Sequence, residues 1–338
     1  MKNVISILLP FILFLSSCEE GNQQSYLPGN SGNQGELLIV APASFWNDSD
    51  ADFLRQAMLM LYPSLPASEP FFTSVEVKLE GFNDLFKTHR NILEFRVDHT
   101  NETSISIKRN VYAKQQLLVI VTLNKIGDLK SLMANQFEQI LFEFHKAELS
   151  RLQSRNRAFG KAELNTLVKE KTGLEITLQQ DFEIAKESPN FLWLRCDRQK
   201  PVGGYQHQIN QGILIYSRPY TDTADFSEES IAAWKNDVNK SNIDGPGTSY
   251  MSISYRLYPP EFKTITFHDQ AAQEIRGLWR MEGGKGVFMG GPFYGLVFYN
   301  PENGLQYIVE GYVYGPQFNK RAFMREVEAI VSSVSPVL

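Results

Sequence analysis

The chain has 338 residues, 43% of them hydrophobic and 21% charged, with a formal net charge of -5. That balance excludes a disordered chain, and nothing is basic enough to point to a nucleic-acid partner. Beyond the N-terminus no run of about 20 apolar residues occurs, which excludes an internal membrane-spanning helix, and the length allows one large domain or two smaller ones.

Met1-Lys2-Asn3 gives a short positive start, and Val4 to Leu15 is an apolar run of signal-peptide length, too short to span a bilayer. The run ends Leu15-Ser16-Ser17-Cys18. A large aliphatic residue, two small ones and a cysteine resemble the lipobox of bacterial lipoproteins. That resemblance implies removal of residues 1–17, a diacylglycerol on the Cys18 thiol and a further acyl chain, such as palmitate, on the new amino terminus. Several acyl chains are enough for stable anchoring. An ordinary secretory signal that happens to end in cysteine is the rival reading. Removing residues 1–17 leaves 32 basic against 38 acidic residues, a net of -6. Glu19-Glu20 resembles the acidic export signal of some Bacteroidota lipoproteins, so the expected location is the outer membrane, on its periplasmic face or at the cell surface. Residues 18–35 read as a lipidated cysteine and a flexible Gly/Asn/Gln/Ser tether, whose extended reach is on the order of 50 Å.

The folded part begins at Glu36–Val40, a continuous apolar run that predicts a buried strand. A helix follows over Asp48–Tyr62, with Asp50 as candidate cap and a stripe of Phe53, Leu54, Ala57, Met58 and Leu61. Pro63 and Pro66 stop it. Strands are predicted at Phe71–Leu79, Asn91–Val97, Ser104–Val111 and Leu117–Leu123, with a short helix at Phe82–Lys87. A long helix starts near Ile126. Its basic end (Lys146, Arg151, Arg155, Arg157 and Lys161) reads as a solvated face. Ala162–Thr172 is a helix closed by Gly173. Ile176–Lys186 and Phe191–Asp197 read as a strand pair, with Leu192, Leu194 and Cys196 on one apolar face, so Cys196 is expected to be a buried, inert thiol. Then come a strand at Gly212–Tyr216, a helix at Ser227–Asn239, and strands at Tyr250–Leu257, Lys263–His268, around Arg276, Pro292–Tyr299 and Tyr307–Tyr314, before a last helix from Lys320.

Both halves thus read strand, helix, several strands, helix. The expected class is α+β, a largely antiparallel sheet with helices on one face, divided into a first half at 36–172 and a second at 173–338. An internal duplication is one account of the repeated order; chance recurrence of a common order is the other.

On the strand pleat Arg276 and Arg280 share a face with Glu274 and Glu282, opposite Trp279. This reads either as a solvated charged face over a buried tryptophan or as an anion or carbohydrate surface built on Arg276 and Arg280, with Arg90 in the corresponding place of the first half. Gly283-Gly284-Lys285-Gly286 lacks P-loop spacing and predicts a tight hairpin. The five histidines show no zinc-ligand spacing, so no metal is expected, and there is no nucleophile elbow. Glu143, His145 and Glu148 are read as neighbours on a solvated helix face. Nothing calls for a cofactor. Enzymatic activity is left open, with the missing motifs arguing against it.

Leu65-Pro66, Glu69-Pro70-Phe71-Phe72, Arg90-Asn91-Ile92, Arg276-Gly277-Leu278-Trp279, Met289-Gly290-Gly291-Pro292-Phe293, Gly311–Pro316 and Lys320-Arg321 together resemble an uncharacterised Bacteroidota lipoprotein family, domain of unknown function 4837. The resemblance covers nearly all of the mature chain and implies location and architecture, with no activity to carry over. The expected function is that of a membrane-anchored envelope lipoprotein binding an envelope protein or a ligand such as a glycan. An envelope hydrolase acting on glycan or peptide and a structural scaffold are the alternatives.

Overall fold

The apolar runs at 37–41, 92–95 and 117–121 lie side by side at the centre of one sheet. The computed structural model describes residues 26–46 and 49–337, residues 49 and 50 by backbone alone. Cys18 and the side chain of Asp50 lie outside the described residues. The first body contains β1 (Glu36–Ala41), α1 (Ala43–Trp46), α2 (Ser49–Ala57), β2 (Thr73–Lys78), α3 (Asp84–Lys87), β3 (Asn91–Val97), β4 (Ser104–Arg109), β5 (Leu117–Leu123) and α4 (Asp128–Phe159). Its sheet has the order β2-β1-β3-β5-β4; only β4 runs antiparallel to its neighbour. Both faces are covered. Leu37, Ile39, Leu93, Phe95, Val119 and Val121 meet α2 and α4, while Leu38, Val40, Ile92, Leu118 and Ile120 meet Phe82, Phe86 and Tyr112. Burial on both faces is why these strands are apolar without alternation.

The second body contains α5 (Ala162–Thr172), β6 (Leu174–Glu175), β7 (Glu183–Ser188), β8 (Phe191–Val202), β9 (Tyr205–Pro219), α6 (Glu228–Asn242), β10 (Tyr250–Ser254), β11 (Glu261–Phe267), β12 (Gln270–Glu282), β13 (Gly290–Asn300), β14 (Leu305–Tyr314), α7 (Arg321–Val331) and β15 (Ser335–Pro336). Its main sheet is antiparallel throughout, in the order β10-β12-β13-β14-β9-β8-β7 with β11 beside β12. Alternate residues serve two cores. Leu192, Leu194, Cys196, Leu296, Phe298 and Val309 pack beneath α5 and α7; Leu214, Tyr216, Phe293, Val297 and Tyr312 face α6 and β10. Burial pushes the Cys196 thiol up to about 12, as suits an inert core residue. A buried ion pair, Lys235 Nζ to Glu310 Oε1 at 2.7 Å, fastens α6 to β14.

The α+β class expected from the sequence is the one observed. The duplication is not. The first sheet is mostly parallel and the second wholly antiparallel, so a shared order of elements does not become a shared fold. The boundary also moves: α5 sends Leu164 and Val168 into the second core, which places the division ahead of 162 rather than at 173. Residues 26–35 do not form part of a free tether. Lys114 N–H donates to the Pro28 carbonyl at 2.8 Å, Ser31 N–H to Thr88 O at 2.9 Å and Asn30 Nδ2 to Lys114 O at 2.9 Å, so their small polar side chains serve turns and bridges along the first body.

The two bodies meet where α4 packs on α7. Here Glu328 is 1% exposed and collects three donors. Tyr62 O–H donates to Oε1 at 2.5 Å, Arg276 Nη1 to the same oxygen at 2.6 Å, and His145 Nε2 lies 3.0 Å from Oε2. Two of the three come from the first body. The chain at 69–73 clamps the start of α7 in the same way. The Glu69 carboxylate accepts from the backbone N–H groups of Lys320 (2.6 Å) and Arg321 (3.2 Å), and Arg321 donates to the Pro70 carbonyl and the Thr73 hydroxyl. A carboxylate at a helix N-terminus satisfies orphan amides and complements the dipole. One turn from His145, Glu148 is fully buried between Arg90 (3.0 Å), Arg151 (3.1 Å) and Asn91 (2.7 Å). The face of α4 carrying His145, Glu148 and Arg151 is therefore an interior one, not the solvated face its charges suggest.

Removing the Glu328 charge leaves Glu274 as the remaining carboxylate partner of the buried Arg276. Glu328→Gln is therefore expected to cost about 3 kcal/mol, the low end for breaking a buried pair, read as a lower urea midpoint. The seam also sets a pH dependence. Burial pushes the His145 imidazole down despite its bond to Glu328, so it stays neutral when folded and takes up a proton when unfolded. The unfolded chain thus binds more protons below about pH 6.5, and stability falls as pH drops through that value. His89 is pushed down by burial as well, with the same sign. His145→Gln is expected to flatten the fall in urea midpoint between about pH 7 and 5 without abolishing it.

Candidate functional site

Two glycines open a trough in the face of the large sheet. On β9, a Cβ at Gly212 would run into the ring of Tyr312, its partner across the ladder. On β13, a Cβ at Gly291 would strike the Val313 carbonyl, and its absence lets the Trp279 indole N–H reach that carbonyl at 3.3 Å. Trp279 and Tyr312 stand edge to face with centroids 5.3 Å apart, and Tyr314 leans on Trp279 at 6.3 Å. From β8, Trp193 donates its indole N–H to the Tyr312 hydroxyl at 3.1 Å. Ile243, Met251, Met281 and Met289 complete the walls of a cleft of about 300 Å³. Trp193, Met251, Trp279, Met281, Tyr312 and Tyr314 stand on paired strands, so the cleft is largely preformed.

Its rim is polar. Arg195, Gln208, Asn210 and Asp244 line it. Behind them Asp197 accepts from Arg195 Nε at 2.8 Å and Asn210 Nδ2 at 2.5 Å, which holds the guanidinium and the amide in place. Arg195 also lies over Trp193, 5.6 Å from the ring centroid. Burial pushes the Tyr312 phenol well above its usual range, so it keeps its proton. Its oxygen already accepts from Trp193, and among the described residues no acceptor takes that proton. The cleft therefore offers aromatic and methionine side chains, a phenol hydroxyl in its wall and a rim that carries both donors and acceptors. Among the described residues no group of three His, Cys, Asp or Glu side chains could hold a metal ion.

A family model described as Domain of unknown function (DUF4837) matches residues 161–333, just over half of the chain. The chain belongs to the DUF4837 family. A second model, also of unknown function (DUF8532), matches residues 30–157. The two matches divide where α4 ends and α5 begins, so the family covers the second body rather than nearly all of the mature chain. No curated protein matches the sequence. Among the described residues no helix is long and apolar enough to cross a membrane.

The DUF4837 body does not bring the three singled-out arginines to one open surface. Arg276 is held by Glu274 (2.9 Å) and Glu328, with its guanidinium 4.3 Å from the Tyr294 ring centroid. Arg90 is bound to Glu148, inside the DUF8532 segment. Arg280 contacts Glu282 and lines an adjoining hollow of about 490 Å³, which shares Trp279, Met281 and Met289 with the cleft and is bounded by the loop that carries Gly283, Gly286 and Phe288. That loop runs from Gly283 to Met289, longer than the expected tight hairpin. Trp279 was placed correctly on the opposite face. Trp193, Arg195, Asn210 and Tyr312 were not foreseen as a site. Their signal was alternation along β8, where 193, 195 and 197 share a face, combined with an isolated Gly212 inside a strand. A Cβ at 212 must displace the Tyr312 ring, so Gly212→Ala is expected to cost about 1–3 kcal/mol by overpacking and to change the near-UV circular dichroism of the aromatic cluster.

Proposed function

We propose that the protein is a lipid-anchored lipoprotein of the outer membrane that acts by binding, with the aromatic cleft of its DUF4837 body as the ligand site. The lipobox-like Leu15-Ser16-Ser17-Cys18 supports the anchor. The single observation that carries the binding reading is the cleft itself: Trp193, Trp279, Tyr312 and Tyr314 on rigid strands, with a donor and acceptor rim. Flat rings suit the C–H faces of a sugar, and a phenol with its proton unused, two amides and a guanidinium suit its hydroxyls. The ligand class is therefore a saccharide unit of an envelope glycan.

Titration of the purified protein with envelope glycan fragments, followed by tryptophan emission and by Tm, tests this. A saturable emission change is expected, with Trp193→Ala weakening binding by about tenfold or more, the equivalent of roughly 1.4 kcal/mol. Fragments that change neither emission nor Tm at millimolar concentration would sink the glycan reading. Mass spectrometry of the N-terminal peptide tests the anchor separately: a diacylated Cys18 is expected, lost in Cys18→Ala.

A further inference from the structure

Even if fully extended, the chain between Cys18 and Tyr26 spans on the order of 28 Å, and from Pro28 onward it is bonded to the first body. A lipid on Cys18 therefore holds that body near the bilayer by the place where the chain joins it. That place has an unusual surface. Tyr26 is 86% exposed and Leu85, on α3, 74% exposed. Lys114 lies 4.5 Å from the Tyr26 ring centroid. Phe82, Phe86, Val111 and Tyr112 form the apolar layer beneath, against the core of β1, β3 and β5. The pieces are contiguous. Ser31 bonds Thr88, which follows α3, while Pro28 and Asn30 bond Lys114. Lys87 is paired with Asp84 at 2.9 Å, and Lys114 has no carboxylate partner among the described residues.

We infer that this end of the first body, built on Tyr26, Leu85 and Lys114, rests on the membrane surface. The inference depends on the lipid-anchor reading and goes beyond it, because an anchor alone does not orient a folded body. The occupant is chosen by the chain itself: the segment leading to Cys18 emerges from within the patch and is too short to carry the patch far from the lipid. The chemistry agrees. An exposed leucine enters the interfacial region, a tyrosine ring sits at headgroup depth, and a lysine with no carboxylate partner among the described residues meets lipid phosphate. The first body then acts as a foot that fixes how the DUF4837 body stands over the bilayer.

The test uses the full lipidated chain in phospholipid vesicles. Cys18 is blocked by its lipid and Cys196 is buried, so a thiol-reactive fluorophore reports on Leu85→Cys alone. The control is Gln136→Cys on the solvent side of α4, across the first sheet from α3. Nitroxide lipids labelled at the headgroup are expected to quench the probe at 85 and spare the one at 136, and Tyr26→Cys should behave like 85. Equal, weak quenching at 85 and 136 with Cys18 shown to be lipidated overturns the footing and leaves the anchor standing. A blue-shifted but unquenched probe at 85 also overturns it, in favour of a protein partner or second copy on the patch. Absence of lipid on Cys18 removes the anchor and the footing together.

Discussion

One carboxylate ties the molecule together. Glu328 lies on α7, yet two of its three donors, Tyr62 and His145, belong to the other body. A buried carboxylate is costly unless every lone pair finds a donor. Burial raises the Glu328 pKa, but Arg276 and His145 outweigh it, and the group stays ionised well below the usual carboxylate range. The nearby apolar packing is ordered by the same contact. His145 stands edge to face with Tyr62 at 5.9 Å and with Phe71 at 5.3 Å, the Tyr62 and Phe71 rings lie tilted at 5.2 Å, and the Arg325 guanidinium lies 4.6 Å from the Phe72 ring centroid and 5.4 Å from that of Tyr62. Apolar faces alone could slide over one another. A single ion with fixed donors gives the α4–α7 packing one register.

That arrangement explains how the short motifs distributed along the chain are used. Glu69-Pro70-Phe71-Phe72, Arg90-Asn91, Arg276 and Lys320-Arg321 are far apart in sequence, and the fold gathers them at the seam or beside it. Charged residues in these runs invite a reading as ligand contacts. Arg90 and Arg276 are instead paired with the buried carboxylates of Glu148 and Glu328, and Arg321 and Glu69 with backbone and hydroxyl groups across the seam, so these charges act as internal fasteners. The cleft proposed as the binding site is built instead from aromatic residues and amides of the large sheet, and its rim is polar.

Local structure was legible wherever a local rule governs it. The helix at Ala162–Thr172 ends at Gly173 in the left-handed conformation, as a C-terminal glycine predicts. Ser227 caps α6 through its side chain, accepting from the Ser230 N–H at 3.2 Å. Strand β5 has the bounds its apolar run gives. What could not be read was direction and partnership. A run such as Leu117-Leu118-Val119-Ile120-Val121 says that a strand is covered on both faces, but not which way its neighbours run, so the parallel first sheet was missed. Charge patterning failed for a related reason. Arg151 and Glu148 look like a solvated helical pair until the start of β3 supplies Arg90 and Asn91, more than 50 positions earlier. The cleft was half legible: Trp279 and the glycines near 290 stood out, but Trp193 and Tyr312 become neighbours only through the β14-β9-β8 order of strands.

The span between Tyr62 and Glu328 is 266 positions. A chain synthesised N-terminus first presents Tyr62 and His145 long before their acceptor arrives. During that interval the first body can assemble its parallel sheet, but its seam faces water, with an aromatic cluster and a stretch of α4 uncovered. Completion is therefore signalled late and all at once, when α7 docks. The position of one glutamate in the sequence thus doubles as a mark of completed assembly.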